Sequence, residues 1–222
     1  AILQEYINYF KPRYVLWFHV ENDLNNIHVR KNDLENTIIM KYLNDDNYTQ
    51  NLIERQIEVD YILTEYLTKK INENKIKPKK NIVKDLRDFI FLSNLKEFIA
   101  YLLYSANIQS SSEYLESIKE YRELLSKAKN LVEKNNAKMY FIYLPQWRSY
   151  GEENSYYWPL EYKEELLKNV DSLNIKIIDI QKEIDNTILD PLTLWPFRTN
   201  GHMNERGYRF VGETVHKNLD IQ

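Results

Sequence analysis

Apolar and polar positions recur with two different periods along this chain, and each period predicts a different element. Over residues 2–10, "ILQEYINYF", apolar side chains fall at Ile2, Leu3, Tyr6, Ile7 and Phe10, the spacing of one helix face. Lys11-Pro12 stops that helix, because proline lacks an N–H donor and restricts the residue before it. Residues 13–20, "RYVLWFHV", form instead a nearly continuous apolar run, the pattern of a strand covered on both faces in a parallel sheet. The polar cluster "ENDLNN" ends it.

From about residue 30 to 110 the pattern is helical, with no strand-like run. "TQNLIERQIEVDYILTEYLTKKINENK" (49–75) predicts a helix carrying Leu52, Ile53, Ile57, Tyr61, Ile62, Tyr66 and Leu67 on one stripe. A basic linker interrupted by Pro78 follows, and 82–106 predicts a second, more apolar helix. Ser110 with Glu113 three residues on has the form of a capping box and opens a helix reaching to the Asn-Asn pair before 137. "KMYFIYLP" (138–145) predicts a second buried strand, "PLEYKEELLKNVDSLN" (159–174) a helix, and "IKIIDI" (175–180) a third strand. The last helix is expected from near Asn204 to Leu219, with Phe210, Val211, Val215 and Leu219 inward.

Strands alternating with helices predict an α/β fold with a parallel sheet. The expected layout is one domain over 1–222 with a helical insertion at 30–110. Three strands are fewer than the roughly five or six of an average sheet, so the domain is expected to lack its first strands here.

The bulk composition narrows the function classes. A 222-residue chain that is 43% hydrophobic and 28% charged suits a folded domain. A formal charge of −3 argues against a protein built to coat nucleic acid. No apolar run approaches the roughly 20 residues that would span a bilayer, so no transmembrane segment is expected in this chain. The first residues lack the features of a secretory signal. The absence of cysteine excludes disulfides and thiolate metal sites, which fits a reducing cytosol or an envelope protein without disulfides. Four histidines without ligand spacing leave no metal or other cofactor to expect.

Candidate chemistry lies in two polar clusters. Ligands of open parallel sheets sit at the carboxyl ends of the strands, where "HVENDL" places His19, Glu21, Asn22 and Asp23. The second cluster is "DPLTLWPFRTNGHMNERGYRF" (190–210), with Gly201 and Gly207 on either side of His202. On residue type alone, His202 is a cap, a surface residue or a base, and Asn22 is a turn residue, a cap or a donor. Trp147, Tyr150, Tyr156, Tyr157 and Trp158 crowd the loop after the second strand, either folded over the sheet end or stacking on sugar rings. Arg148 and Arg198 are substrate-binding candidates, with surface salt bridges as the rival role.

Two blocks resemble a known family. "KPRYVLWFHVENDL" resembles the third conserved block of the SGNH (GDSL-type) hydrolases, a buried strand ending in Gly-x-Asn-Asp or Gly-Asn-Asp. "GHMNERGYRFVGETV" resembles their last block, where a histidine precedes Asn and then Gly at the start of the C-terminal helix. The resemblance implies a partial flavodoxin-like, three-layer α/β/α sheet. It implies that Asn22 donates to an oxyanion, that His202 is the general base, and that Asn204 and Gly207 are structural. The departures are specific. There is no Gly-Asp-Ser and no second-block glycine, Thr199 stands where an aspartate is expected, and Glu21 replaces a glycine. The resemblance therefore implies the C-terminal part of such a domain, without its serine and inactive by itself. It leaves either Asp190, the nearest upstream acid, or a Ser–His dyad to complete the site. The implied activity is a serine esterase or O-acyltransferase acting on a small-molecule or carbohydrate ester such as an O-acetylated envelope polysaccharide. A bacterial envelope or periplasm is the favoured compartment and cytoplasm the alternative. The competing reading is a non-catalytic α/β binding or scaffold module with 30–110 as its interaction surface. The oligomeric state is open.

Overall fold

The computed structural model describes residues 1–20, 23–26, 38–76, 111–150, 160–198 and 201–220. The chain divides into two compact units, one of residues 1–48 with 111–222 and the other of residues 49–110.

In the first unit, α1 (Ile2–Phe10) leads into strand β1 (Tyr14–Val20). Lys11 ends α1 in the left-handed conformation, φ 44°, its N–H bonded to the Ile7 carbonyl. A 3₁₀ turn (Asp23–Asn26) and α2 (Ile38–Asn44) follow. The remaining elements are α4 (Ser111–Lys134), β2 (Lys138–Leu144), α5 (Leu160–Asp171), β3 (Lys176–Asp179), α6 (Ile180–Thr187) and α7 (Glu205–Asn218). The strands form a parallel sheet in the order β1-β2-β3, with Tyr14 opposite Lys138 and Tyr140 opposite Lys176.

Side chains alternate across the strands, so each face collects its own core. Met139, Phe141 and Tyr143 face Ile118, Tyr121 and Leu125 of α4 and Leu166 and Val170 of α5. Tyr140, Ile142 and Ile178 face Ile180 and Ile184 of α6, Val211 and Val215 of α7, and the loop residues Leu194, Trp195 and Met203. β2 is buried on both faces, which explains its unbroken apolar run. β1 carries a similar run at the sheet edge, and Phe18 is 47% exposed there.

Residues 38–48 pack with the sheet unit. The Tyr42 hydroxyl donates to the Glu5 carboxylate, and the Gln4 amide donates to the carbonyls of Asp46 (2.9 Å) and Tyr48 (3.0 Å). The described part of the second unit is a turn and one long helix, α3 (Gln56–Ile76). The expected single stripe is not a buried face: Ile57, Tyr61, Ile62, Tyr66 and Leu67 are all more than half exposed. At about 100° per residue, Ile57 and Tyr61 point away from the other three. The helix expected at 82–106 lies outside the described residues.

Candidate functional site

The C-terminal helix shows which end of the sheet carries His202. At its far end Asp220 accepts from the Tyr140 hydroxyl (3.0 Å) and from Lys176 Nζ (2.9 Å), and the Tyr14 hydroxyl donates to its carbonyl. Those partners lie at or near the amino ends of β2, β3 and β1. The near end of α7 therefore reaches the carboxyl rim. The loop before it packs there too, with Trp195 5.6 Å from the ring of Tyr150, which follows β2 in a 3₁₀ turn (Trp147–Tyr150).

His202 is exposed, but its neighbours are anchored. Met203 is buried in the core. Asn204 caps α7 by accepting from the Gly207 N–H (3.0 Å), donates its amide to Thr193 O (2.9 Å), and bonds its own N–H to Leu194 O (2.9 Å). Gly207 is required for space: a Cβ there would stand 2.7 Å from both the Leu194 carbonyl oxygen and the Met203 Cβ. The loop upstream is unusual, with Phe197 (φ 52°) and Arg198 (φ 64°) both left-handed and Gly201 at φ 52°. His202 is thus an imidazole presented to solvent from a fixed backbone. It makes no hydrogen bond to any described residue.

Asp190 is held by Arg198, whose two terminal nitrogens lie 2.7 and 3.0 Å from its two carboxylate oxygens. Hydrogen bonding to Arg198 holds the Asp190 carboxyl below its usual range. Among the described residues no hydrogen bond joins Asp190 to His202. Of the two roles open to Arg198, substrate binding or a surface salt bridge, the structure shows the salt bridge. The Arg148 guanidinium stacks over the neighbouring Trp147 ring at 5.3 Å, and Trp147 packs against the α6–α7 core.

At the end of β1 the chain turns at once: the Val20 N–H donates to Asp23 Oδ2 (2.9 Å), and Leu24 is fully buried. Burial pushes the Asp23 carboxyl up, against the effect of that N–H. Asn22, Glu21, His28, Thr199 and the aromatic residues Tyr156, Tyr157 and Trp158 lie outside the described residues.

His19 stands near the carboxyl end of β1, 3.7 Å from Asp23, but its ring points into the interior. It is 0% exposed, with its ring 5.5 Å from that of Phe141 and 6.0 Å from that of Tyr143. Its Nδ1 lies 3.2 Å from the Tyr121 hydroxyl, which accepts from Trp17 Nε1 at 2.7 Å, while Nε2 has no partner. Burial lowers its pKa to about 4 and raises that of Tyr121, so both are neutral at pH 7.

Sequence reasoning missed one rim group. Lys163 Nζ sits 2.8 Å from Asp179 Oδ2, 3.0 Å from Gln181 Oε1 and 4.8 Å above the Tyr143 ring. Asp179 also caps α6 through the Lys182 N–H (3.1 Å). An Asp at the join of a strand and a helix was the available signal. Its partners occupy it, so this group braces the rim.

Among the described residues no three His, Asp or Glu side chains gather as metal ligands would, and no helix is long and apolar enough to cross a membrane. No family model, curated protein or solved structure matches this chain.

Proposed function

We propose that this chain is the C-terminal part of an SGNH-type serine esterase or O-acyltransferase acting on a carbohydrate ester, with His202 as general base and Asn22 as oxyanion donor. The supporting observation is the exposed imidazole at the carboxyl rim, on a loop stapled to a helix that packs against the sheet.

The nucleophile comes from a strand outside these 222 residues, adding to the free edge of β1. Among the described residues β1 pairs only with β2, and it has neither a proline nor a lysine to block further pairing. Beside that edge lies an apolar groove of about 820 Å³ lined by Leu3, Val15, Trp17, Tyr42, Leu124 and Leu131. Covering both is what a parallel sheet ordinarily requires.

In the complete site the serine Oγ attacks the ester carbonyl carbon while His202 takes its proton. The carbonyl electrons move to oxygen, and the Asn22 amide donates to that oxyanion, an uncharged donor of fixed geometry. His202 then protonates the departing alkoxide, leaving an acyl-enzyme. Water or an acceptor hydroxyl attacks this next, and His202 takes its proton in turn. With Asp190 engaged by Arg198, a Ser–His dyad is the version the contacts favour.

The departures at Thr199 and Glu21 favour the competing reading, a non-catalytic binding module. One experiment separates them: expression with the upstream coding sequence and reaction with a fluorophosphonate probe. The enzyme reading expects labelling of one serine that is lost in His202→Ala, with none in the 222-residue chain alone. A folded, longer protein that stays unlabelled, or labels equally without His202, supports the binding module instead.

A further inference from the structure

We infer that Phe197 binds the alcohol part of the ester, stacking its ring on the apolar face of a sugar. The inference rests on the esterase reading of His202.

Phe197 and His202 belong to one closed loop. The Asn204 N–H bonds to the Leu194 carbonyl (2.9 Å), so residues 195–203 leave and return at the same point. Trp195 and Met203, the two feet of that loop, are buried in the core that α6 and α7 build against the sheet. Phe197 is 91% exposed, so its ring adds almost nothing to that core. Its backbone is nevertheless held in a costly conformation. Phe197 (φ 52°) and Arg198 (φ 64°) are both left-handed, which brings a Cβ too close to the backbone. The Asp190–Arg198 clamp beside it, 2.7 and 3.0 Å, holds the turn closed. Backbone strain that presents a large apolar side chain to solvent gains the fold nothing, and such positions gather where ligands are gripped. Five residues separate Phe197 from His202, so their Cα atoms are at most about 18 Å apart, within reach of one oligosaccharide ester.

The chemistry at His202 fixes which part of the ester Phe197 meets. In the proposed reaction the imidazole protonates the departing alkoxide, so the leaving oxygen lies at His202 and the carbonyl oxygen at the Asn22 amide. A side chain on the loop of His202 therefore stands on the alcohol side. The neighbouring Arg198 and its partner Asp190 are each about half exposed, at 53% and 49%. Arg198 gives two of its five N–H groups to Asp190, so hydrogen-bonding capacity remains beside Phe197. A sugar is the alcohol that matches both features. It offers CH groups on its ring face to the aromatic, and hydroxyls around its rim to the charged pair. An alkyl chain would use the aromatic ring alone.

Two measurements test this. The longer protein, expressed with its upstream coding sequence, is assayed on glucose penta-acetate, ethyl acetate and octyl acetate. Phe197→Ala is expected to lower kcat/KM for the sugar ester about three- to tenfold more than for either alkyl ester, with the difference in KM. Phe197→Trp restores it. An equal loss on all three esters overturns the inference, and so does a loss greatest on octyl acetate, which would mark the place of a lipid chain. The second measurement needs no catalysis. In the 222-residue chain, 4-fluorophenylalanine in place of Phe197 gives one fluorine resonance. It is expected to shift saturably with cellobiose, with a Kd of about 1–10 mM, and not with glycerol. Asp190→Ala, which releases the clamp, weakens that binding severalfold. A longer protein without esterase activity sinks the esterase reading, and a saturable shift then still marks Phe197 as a sugar contact. No shift with cellobiose up to about 100 mM overturns the inference in either case.

Discussion

Arg198 grips Asp190 through two parallel hydrogen bonds, 2.7 and 3.0 Å, across a loop containing two consecutive left-handed residues. The pair closes residues 190–198 four positions before His202. It also engages both carboxylate oxygens of the acid nearest upstream of His202.

Breaking this clamp is expected to loosen the loop and leave the domain intact. In Asp190→Ala, chymotrypsin cuts after Phe197, which is 91% exposed, several times faster than in the parent chain. The thermal midpoint moves by less than about 2 °C, because an exposed ion pair contributes little to global stability. The depressed carboxyl pKa sets the acid limit: the clamp persists at and above the ordinary carboxylate pKa of 3.8 and opens as pH falls below it. Cleavage at Phe197 should therefore accelerate only in strong acid, read with an acid-tolerant protease.

His19 is expected to make stability pH-dependent. Its pKa is about 4 when folded and 6.5 as a free side chain, so between those values the unfolded chain binds a proton that the folded chain refuses. Stability from this group is complete above pH 6.5 and falls as the pH drops towards 4, by up to about 3 kcal/mol. Among the described residues, Tyr121 of α4, Tyr143 of β2 and Asp23, 3.7 Å away, are the titratable groups around it. The raised pKa of Asp23 acts with the opposite sign just above 3.8. Urea unfolding at pH 7 and pH 4.5 should show a smaller loss in His19→Phe than in the parent; an equal loss assigns the dependence elsewhere.

The two glycines of α7 are expected to respond in opposite ways. Gly207→Ala drives a methyl to 2.7 Å from a backbone carbonyl, and overpacking of this kind costs about 1–3 kcal/mol. That exceeds the gain of at most about 1 kcal/mol from a better helix former. Gly212→Ala meets nothing within 4 Å and should stabilise by about 0.5–1 kcal/mol. Thermal melts of both variants check the pair.

Asn204→Ala removes a helix cap and the tie to Thr193 together, for an expected loss of about 1–2 kcal/mol. Asn204→Asp keeps the acceptor for the Gly207 N–H and loses the donor to Thr193 O, so it should recover about half of that. Equal losses in the two variants would show that the tie to Thr193, and not the cap, carries the effect.

Each element's type could be read locally. The helix at 2–10, the apolar strands at 14–20 and 138–144, and the cap at Asn204 follow from side-chain period and hydrogen-bonding habit within a few residues. Chain-distant relations could not be read this way. His19 ends an apolar run at the carboxyl end of β1, but which face it takes was not legible there: it sits on the face that α4 covers, against Tyr121, 102 positions away. A surface salt bridge was one of the two roles open to Arg198, but its partner was not legible: it found Asp190 across a loop whose left-handed turns no propensity announces. The apolar residues of α3 were expected on one stripe, yet Ile57 and Tyr61 point away from Ile62, Tyr66 and Leu67, and all five are more than half exposed.

Composition and period thus settled that this chain makes a parallel α/β sheet, because a strand or helix needs only its own alternation of apolar and polar groups. Which face each strand residue meets, that β1 is an edge among the described strands, and that His202 stands at the carboxyl rim were decided by packing between distant segments. Burial and ion pairing depend on what arrives from elsewhere in the chain, and no local pattern carries that information.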